Sequence, residues 1–269
     1  MKEFYNFLLV NTLMFLFAYV MTWNKGGLFF PSLCCDVVSH YIIMGTVGST
    51  LKENMDIHGT ARRKPIEQFV GEFHLYHLIN SFIVSSLWFY LLKHQSHLMP
   101  SVGTAIVQFF LYVPLRFYFE VVFDFCHYWI HRGLHHPRLY RYLHKTHHKF
   151  LYPSMLTTFY MHPLDIILTL VIPLTIAYYA TPSMPIFVWN VVMTDNVYIE
   201  MLGHVGKMVS LNEYPSIYSW IPYYHKIRSL PLDHDLHHSR NQCNYSKRFR
   251  LWDRVFGTYV DPEPLVDNI

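Results

Sequence analysis

The stretch from residue 127 to residue 148 reads HYWIHRGLHHPRLYRYLHKTHH and contains seven histidines. A second cluster, HDLHH, lies far downstream at residues 234–238. The neutral imidazole ring is a common metal ligand. The spacings HX3H, HX2HH and HX2HH supply eight candidate ligands: His127, His131, His144, His147, His148, His234, His237 and His238. Because one metal ion usually takes about three or four protein ligands, the pattern predicts a site for two ions.

The spacing within each cluster also predicts how the ligands are presented. Side chains three or four residues apart lie on the same face of a helix, so each cluster is expected at or near a helix. Histidine ligands alone do not distinguish zinc from iron. A purely structural zinc site therefore remains an alternative at this point.

The composition points to a membrane protein. Of the 269 residues, 52% are hydrophobic and 14% are charged, whereas soluble domains average about 25% charged residues. The mean hydropathy is only +0.16, so part of the chain is expected outside the bilayer. The net charge is +3 and the basic residues form no nucleic-acid-binding patch, so no nucleic acid partner is expected. The four cysteines show no CxxC spacing, which favours a reducing environment.

The apolar runs predict an all-α, polytopic membrane bundle with about four full spans and an apolar hairpin. The predicted spans cover residues 4–23, 28–47, 75–92 and 102–126, and the hairpin covers 164–202 with a turn at 181–185. The span 28–47 is weaker because Asp36 and His40 interrupt it. Residues 203–269 are predicted to form part of a histidine-rich cap that holds the two-metal site. We expect two domains, with membrane spans in 1–101 and the histidine-containing domain in 102–269.

A polar stripe runs down the last predicted span. Arg116, Glu120 and Asp124 follow one another at helical spacing and lead to the first histidines. Charged residues within a span normally face the bundle interior and mark function. The simpler interpretation is a structural Arg116–Glu120 pair. Both can hold, and Asp124 could also orient a ligand histidine from outside the ligand set.

The distribution of basic residues predicts the orientation in the membrane. Three basic segments (62–64, 132–149 and 226–254) fall on one side of the membrane if the spans are counted as above. The positive-inside rule makes this side cytoplasmic. All histidine clusters are then expected at the cytoplasmic face. The segment 247–254 could receive an acidic electron donor or bind anionic lipid.

Several motifs together resemble the fatty acid hydroxylase/sterol desaturase superfamily. These are HYWIHR, HKTHH and HDLHH, in this order, and the closing NYSKRFRLWDRVFGTY. YMHPLD at 160–165 resembles the HPxE element of methylsterol monooxygenases, with Asp165 in the acidic position. GHVGK at 203–207 resembles the HSG element of that branch, although Val205 replaces the usual serine. The HDLHH region also resembles the cholesterol 25-hydroxylase branch.

The resemblance, which covers residues 119–259, implies a non-haem di-iron centre that uses dioxygen on a C–H bond of a lipid, in the endoplasmic reticulum membrane. It makes the eight histidines the ligands, and adds His162 and His204 as further candidates. His135 continues the helical face of His131. It is expected to be a ligand, to support a ligand from the second shell as Asp124 could, or to have a structural role. His225 is a weaker candidate. Six further histidines have no ligand spacing and are interpreted as ordinary: His40, His58, His74, His77, His94 and His97.

The sequence contains neither a GxGxxG fingerprint nor a cytochrome b5 module. Electrons are therefore expected from NAD(P)H through a separate donor, either cytochrome b5 or a reductase. Hydroxylation of a sterol is favoured because the similar branches are monooxygenases. Fatty acyl or sphingoid lipid hydroxylation and sterol desaturation remain alternatives. Outside enzymes, the alternatives are a membrane protein with a structural zinc pair, or a metal transporter.

Overall fold

The computed structural model describes residues 2–24, 29–52, 54–57, 69–92, 100–209 and 217–262. The basic residues 62–64 and the histidines His58, His94 and His97 lie outside these ranges. The described residues are mainly helical. Their α-helices, in chain order, are α1 (Lys2–Asn24), α2 (Phe29–Thr50), α3 (Val70–Leu92), α4 (Val102–Leu134), α5 (Pro137–Leu143), α6 (Pro163–Ile166), α7 (Ile172–Ala180), α8 (Ile186–Gly203), α9 (Ile217–Tyr224), α10 (Pro231–Arg240) and α11 (Arg250–Val255).

Three helical segments are long and apolar enough to cross a membrane: Phe4–Trp23, Val70–Leu92 and Pro163–Ala180. Helix α4 adds a fourth if its two parts, which meet at 47°, form one bent span. Pro114 lies at this bend, where a proline removes one backbone hydrogen bond and kinks the helix. The prediction of an all-α bundle is therefore confirmed, with three to four apolar spans where about four and a hairpin were predicted. The predicted span 28–47 forms helix α2 but is not among these spans, whereas the first arm of the predicted hairpin is.

Helix α8 lies at the centre of the bundle. It packs against α1, α2 and α4, and most of its side chains are buried. The ring of Trp189 contacts those of Trp88 on α3 and Phe119 on α4. The sequence predicted this helix as the returning arm of an apolar hairpin. It can carry Asp195 and Glu200 because protein, and not lipid, surrounds it.

The segment that precedes α7 contains a wider helical turn. Residues Ile167–Val171 adopt π geometry between α6 and α7. Such turns occur frequently at functional sites. The carbonyl oxygen of Thr169 in this turn accepts a hydrogen bond from Nδ1 of His127 at 2.7 Å.

Candidate metal centre

The histidine clusters occupy helix ends and short turns at one end of the bundle. His131 lies in the last turn of α4, and His135 is the residue that terminates this helix. After α5, His144 ends the helix and a short 3-10 turn at His147–Lys149 presents the next two rings. The downstream cluster lies on α10, which begins with a proline at its first helical position, where a proline is well tolerated.

Nine of these imidazoles form two groups in which one ligand nitrogen per residue lies within 4.8 Å of the others. The five-histidine group consists of His131, His135, His144, His148 and His237. The four-histidine group consists of His147, His204, His234 and His238. The rings of His148 and His238 stack with their centroids 4.4 Å apart. The two groups therefore adjoin, as a two-ion centre requires.

The separations between Nε2 atoms match those of ligands on a metal ion. In the five-histidine group, Nε2 of His144 lies 3.0 Å from that of His131 and 3.1 Å from that of His148. In the four-histidine group, Nε2 of His234 lies 3.0 Å from that of His204 and 3.1 Å from that of His238. Metal–nitrogen bonds of about 2.1 Å place neighbouring ligand atoms roughly 3.0–3.4 Å apart. The residues present therefore fit bound metal ions.

Hydrogen bonds at the opposite ring nitrogen orient several of these ligands. Nδ1 donates at 2.7–2.8 Å to a fixed acceptor in four of the rings: His131 to Tyr245 O, His237 to Cys243 O, His204 to Glu200 O, and His144 to Asp165 Oδ2. A proton held at Nδ1 leaves the lone pair at Nε2, which faces the other rings of the group. This arrangement is typical of metal-binding histidines.

Burial keeps these rings neutral. Desolvation lowers the pKa of five of them well below the usual value: His144, His147, His148, His234 and His238. It also lowers the pKa of His204 and that of His237 to about 4. A neutral imidazole has the free lone pair that metal binding needs. The site is therefore ready for metal binding near neutral pH.

The structure brings together seven of the eight histidines in the predicted triplets, and adds His135 and His204 to them. His127 and His162 lie outside both groups. His127 donates to the Thr169 carbonyl and packs against the ring of Phe123. His162 caps α6, where its Nδ1 accepts from the Leu164 amide at 3.2 Å. Spacing could not decide between His127 and His135, because each is four residues from His131.

Asp165 is a site residue that spacing alone did not identify. Its Oδ2 accepts a hydrogen bond from Nδ1 of His144 at 2.8 Å, and both side chains are buried. A carboxylate in this position orients a ligand imidazole and raises its basicity. The signal available in the sequence was the acidic position of the HPLD motif.

Asp124 has a different role from the one predicted. Its two oxygens accept from the backbone amides of Lys247, Arg248 and Phe249 at 2.8–3.0 Å. It therefore anchors the C-terminal segment to α4, and contacts no histidine among the described residues. Tyr245, whose carbonyl accepts from His131, lies just before this anchored turn.

The polar stripe on α4 is fully buried and joins a network of charges. Arg116 pairs with Glu120 and with Asp195, the latter at 3.2 Å. Arg248 bridges Glu120 at 3.1 Å and Glu200 at 2.5 Å. The network thus joins α4, α8 and the C-terminal segment directly beside the four-histidine group, since the Glu200 carbonyl accepts from His204.

The basic segment 247–254 is mostly not available to a partner. Lys247 pairs with Glu200 at 2.5 Å, Arg248 is buried in the network described above, and Arg250 pairs with Asp233 at 2.8 Å. These three cations are therefore occupied and do not serve either predicted role of the segment, which was to dock an electron donor or to bind anionic lipid.

Two cavities approach the histidines. The larger lies among α1, α2, α3, α7 and α8. The smaller is lined by His204 and His234, and Glu200 borders both cavities. The interior of the bundle therefore contains space for a ligand next to the four-histidine group.

The fatty acid hydroxylase family model matches residues 116–258, more than half of the chain. The chain is 33% identical over 169 residues to the Delta(7)-sterol 5(6)-desaturase ERG3A of Gibberella zeae, covering 60% of this chain and 41% of that protein. It is 36% identical over 147 residues to methylsterol monooxygenase 1 of Rattus norvegicus, covering 52% and 44%. It is 32% identical over 152 residues to the C-4 methylsterol oxidase erg25 of Schizosaccharomyces pombe, covering 54% and 46%.

The aligned part thus spans less than half the length of these relatives. No solved structure matches the chain.

Proposed function

Because the chain belongs to the fatty acid hydroxylase family, we propose that it is a membrane-bound, non-haem di-iron oxygenase that hydroxylates a C–H bond of a sterol. The observation that carries this proposal is the pair of adjoining histidine groups. Within each group, neighbouring Nε2 atoms lie about 3 Å apart. The five-histidine group would hold one ion and the four-histidine group the other. Bound iron would supply the dioxygen chemistry that no side chain can perform.

The protein's own residues would orient the metal ligands and exclude water. Backbone carbonyls and Asp165 hold the imidazoles at Nδ1, which preorganises the ligand geometry. The buried network around Glu200 supports the wall between the cavity and the four-histidine group. A lipid in the cavity would reach the metal centre from within the bundle, so that the reacting carbon stays away from bulk water.

Sterol desaturation is the second candidate, and it is favoured by one observation. The Gibberella zeae relative, which is named as a sterol desaturase, aligns over 169 residues of this chain. Both reactions begin with the same C–H bond cleavage and need the same metal centre. The product, an alcohol or an alkene, distinguishes them.

A structural zinc pair would explain the histidines but not the adjoining cavity. A structural zinc site is closed by four protein ligands and needs no space beside it. The cavity that shares Glu200 with the His204 pocket therefore favours an enzyme. A metal transporter would need ligands at several depths, whereas these nine rings cluster at one end of the bundle.

The electron donor would be a separate protein such as cytochrome b5 or a reductase that draws on NAD(P)H. We place its docking site on the exposed basic residues Arg138, Arg141 and Lys145. They lie on or next to α5, between His135 and His148 of the five-histidine group. We propose the endoplasmic reticulum as the location, with the metal centre facing the cytoplasm.

The decisive experiment is expression in a lipid-producing host, with lipid analysis by mass spectrometry and a His147→Ala variant as the control. We expect an oxidised sterol with the wild-type protein and none with the variant. The purified protein should contain about two iron ions per chain. Two zinc ions with no oxidised lipid, even with iron, oxygen and a donor supplied, would leave the structural-zinc explanation in place.

Orientation is tested separately with single cysteines in sealed vesicles. Val255 and Ser183 are exposed and lie at the end of α11 and in the turn between α7 and α8. A membrane-impermeant maleimide added to the cytoplasmic face should label Val255→Cys and leave Ser183→Cys unlabelled, in a background without the exposed Cys34. The reverse pattern would contradict the proposed orientation.

A further inference from the structure

Tyr245 packs against the five-histidine group. Its ring centroid lies 5.2 Å from that of His135, 5.7 Å from that of His237 and 5.9 Å from that of His131. The side chain is only 7% exposed, so it forms part of the wall of the site. Tyrosine and tryptophan are the side chains that lose a single electron most readily. An oxidant held by these histidines would therefore meet an oxidisable ring at this wall.

A chain of oxidisable rings leads from Tyr245 to the protein surface. The ring centroids of Tyr245 and Tyr128 lie 6.2 Å apart, and those of Tyr128 and Trp129 lie 5.4 Å apart. Tyr128 is fully buried, whereas Trp129 is 46% exposed. These three side chains therefore connect the histidines to the surface through rings that are close enough for electrons to pass between neighbours.

The outer end of this chain lies near the end of α4. Arg132 is in the last turn of the helix, and its guanidinium carbon lies 5.7 Å from the ring centroid of Trp129. Arginines near the end of a membrane-spanning helix extend to the interface with water, and tryptophan is enriched at that interface. A water-soluble reductant can therefore reach Trp129.

The hydroxyl group of the middle residue, Tyr128, is connected to a proton acceptor. The Thr258 hydroxyl donates to Oδ1 of the buried Asp253 at 2.7 Å, so its oxygen accepts from the Tyr128 hydroxyl at 3.0 Å. Nη1 of Arg132 donates to the Tyr128 oxygen at 2.9 Å. A buried tyrosine usually has some partner for its hydroxyl group. A path that ends on a carboxylate can in addition take up the proton that a tyrosine releases when it loses an electron.

We propose that Tyr245, Tyr128 and Trp129 transfer oxidising equivalents from the metal centre to the protein surface when the centre is oxidised without a lipid to react with. This transfer spares the histidine ligands, which would otherwise be the nearest groups to be oxidised. The proposal rests on the proposed function, since it requires iron at the five-histidine group. It adds a protective activity to the site, with a peroxide as the oxidant and a water-soluble reductant such as ascorbate as the electron source.

The transfer of each electron balances in four steps. Tyr245 gives one electron and its hydroxyl proton to the peroxide at the centre, and two such transfers convert hydrogen peroxide into two water molecules. Tyr245 regains an electron from Tyr128 and a proton from water, while the Tyr128 proton moves to Thr258 and the Thr258 proton to Asp253. Trp129 returns an electron to Tyr128, and the proton returns by the same path. Ascorbate then gives an electron to Trp129 and releases a proton to water.

The test mixes the purified, iron-loaded protein with hydrogen peroxide, without lipid, ascorbate or an electron donor. Samples frozen at increasing times are examined by electron paramagnetic resonance, and ring-deuterated tyrosine or tryptophan identifies the residue type of each radical. We expect a tryptophan radical in the wild-type protein. Tyr128→Phe and Tyr245→Phe should lose it because phenylalanine is not oxidised, and Trp129→Phe should leave only a tyrosine radical.

Tyr140→Phe is the matched control. The Tyr140 ring also packs against the five-histidine group, 5.5 Å from His135 and 5.8 Å from His148, but it contacts no other tyrosine or tryptophan ring within the described part of the chain. This variant should keep the tryptophan radical. Iron content and thermal transition show which variants fold. If Tyr128→Phe does not fold, Trp129→Phe, which changes a half-exposed side chain, provides the test.

Damage to the ligands gives a second measurement. After repeated additions of peroxide in the presence of ascorbate, peptide mass spectrometry should find more oxidised histidine at His131, His135 and His237 in Tyr245→Phe than in the wild type. Equal damage, or a tryptophan radical that persists in folded Tyr128→Phe or Trp129→Phe, would overturn the inference. Lipid oxidation by a wild-type protein that forms no tryptophan radical would overturn only the inference. The expected radicals in an iron-loaded protein that oxidises no lipid would overturn only the proposed function.

Discussion

Oδ2 of Asp165 accepts a hydrogen bond from Nδ1 of His144 at 2.8 Å. The two residues belong to different segments, since His144 ends α5 and Asp165 lies in the first turn of α6. The contact therefore connects the membrane-spanning helix that begins at Pro163 to the five-histidine group. It directs Nε2 of His144 towards His131 and His148.

We expect Asp165→Ala to lower iron retention and the rate of lipid oxidation by roughly 10–100-fold, as is usual when the partner of a ligand histidine is removed. Asp165→Asn should have a smaller effect because its amide oxygen can still accept from Nδ1. Iron per chain after dialysis against a chelator measures the first effect, and product formation measures the second. Asp56→Ala removes a partly exposed carboxylate that pairs with Lys207 and should change neither. Wild-type iron retention in Asp165→Ala would contradict the assigned role.

The two histidine groups make a second prediction, which concerns residues that spacing left undecided. His135→Ala and His204→Ala should each lower the iron content to about one ion or fewer, because each removes a ligand from a different group. His162→Asn should keep both ions, since asparagine preserves the helix cap and His162 lies outside both groups. Elemental analysis of the purified variants provides the measurement. Loss of iron in His162→Asn, with His135→Ala unaffected, would require a different ligand set.

The helical spans and the clustering of the histidines could be predicted because both depend on local periodicity. An apolar run of about twenty residues predicts a spanning helix whatever it packs against. Helices α1 and α3 agree with this prediction. The stripe from Arg116 to Asp124 likewise predicted a buried face of α4, and all three of its charged residues are fully buried. The Arg116–Glu120 pair expected from i,i+4 spacing is present.

Relationships between distant segments could not be predicted in the same way. His204 joins His234 across thirty residues, and no helical period connects them. The i,i+4 pattern extends from His131 in both directions, so it could not exclude His127 in favour of His135. Helix α8 was predicted as the returning arm of an apolar hairpin, and hydropathy does not report what surrounds a helix. Its packing against α1, α2 and α4 places it at the centre of the bundle.

The buried charge network makes a prediction about stability. We expect Arg248→Met to destabilise the protein by about 3–5 kcal/mol, because it breaks two buried ion pairs at once. Glu120 would keep only Arg116 as a partner, and Glu200 only Lys247. Thermal unfolding in detergent, followed by intrinsic fluorescence, measures the change. Arg138→Met removes an exposed arginine and should stay within about 0.5 kcal/mol of the wild type. Equal stability of the two variants would show that the network contributes little.

The basic residues on and next to α5 make a prediction about electron transfer. Reversing two exposed charges, in Arg138→Glu/Arg141→Glu, should raise the KM for an acidic donor such as cytochrome b5 by roughly tenfold or more at low salt, since charge complementarity steers such encounters. The effect should shrink as added salt screens the charges. Steady-state turnover at several donor concentrations and two ionic strengths provides the measurement.

Two controls separate docking from damage to the metal centre. A small chemical reductant bypasses the donor protein, so turnover driven by it should be the same in the double variant and the wild type. Lys52→Glu reverses an exposed charge at the end of α2, away from α5 in the chain, and should leave the KM for the donor within about twofold. If the double variant loses activity equally with the chemical reductant, its arginines support the histidine site itself and the donor must dock elsewhere.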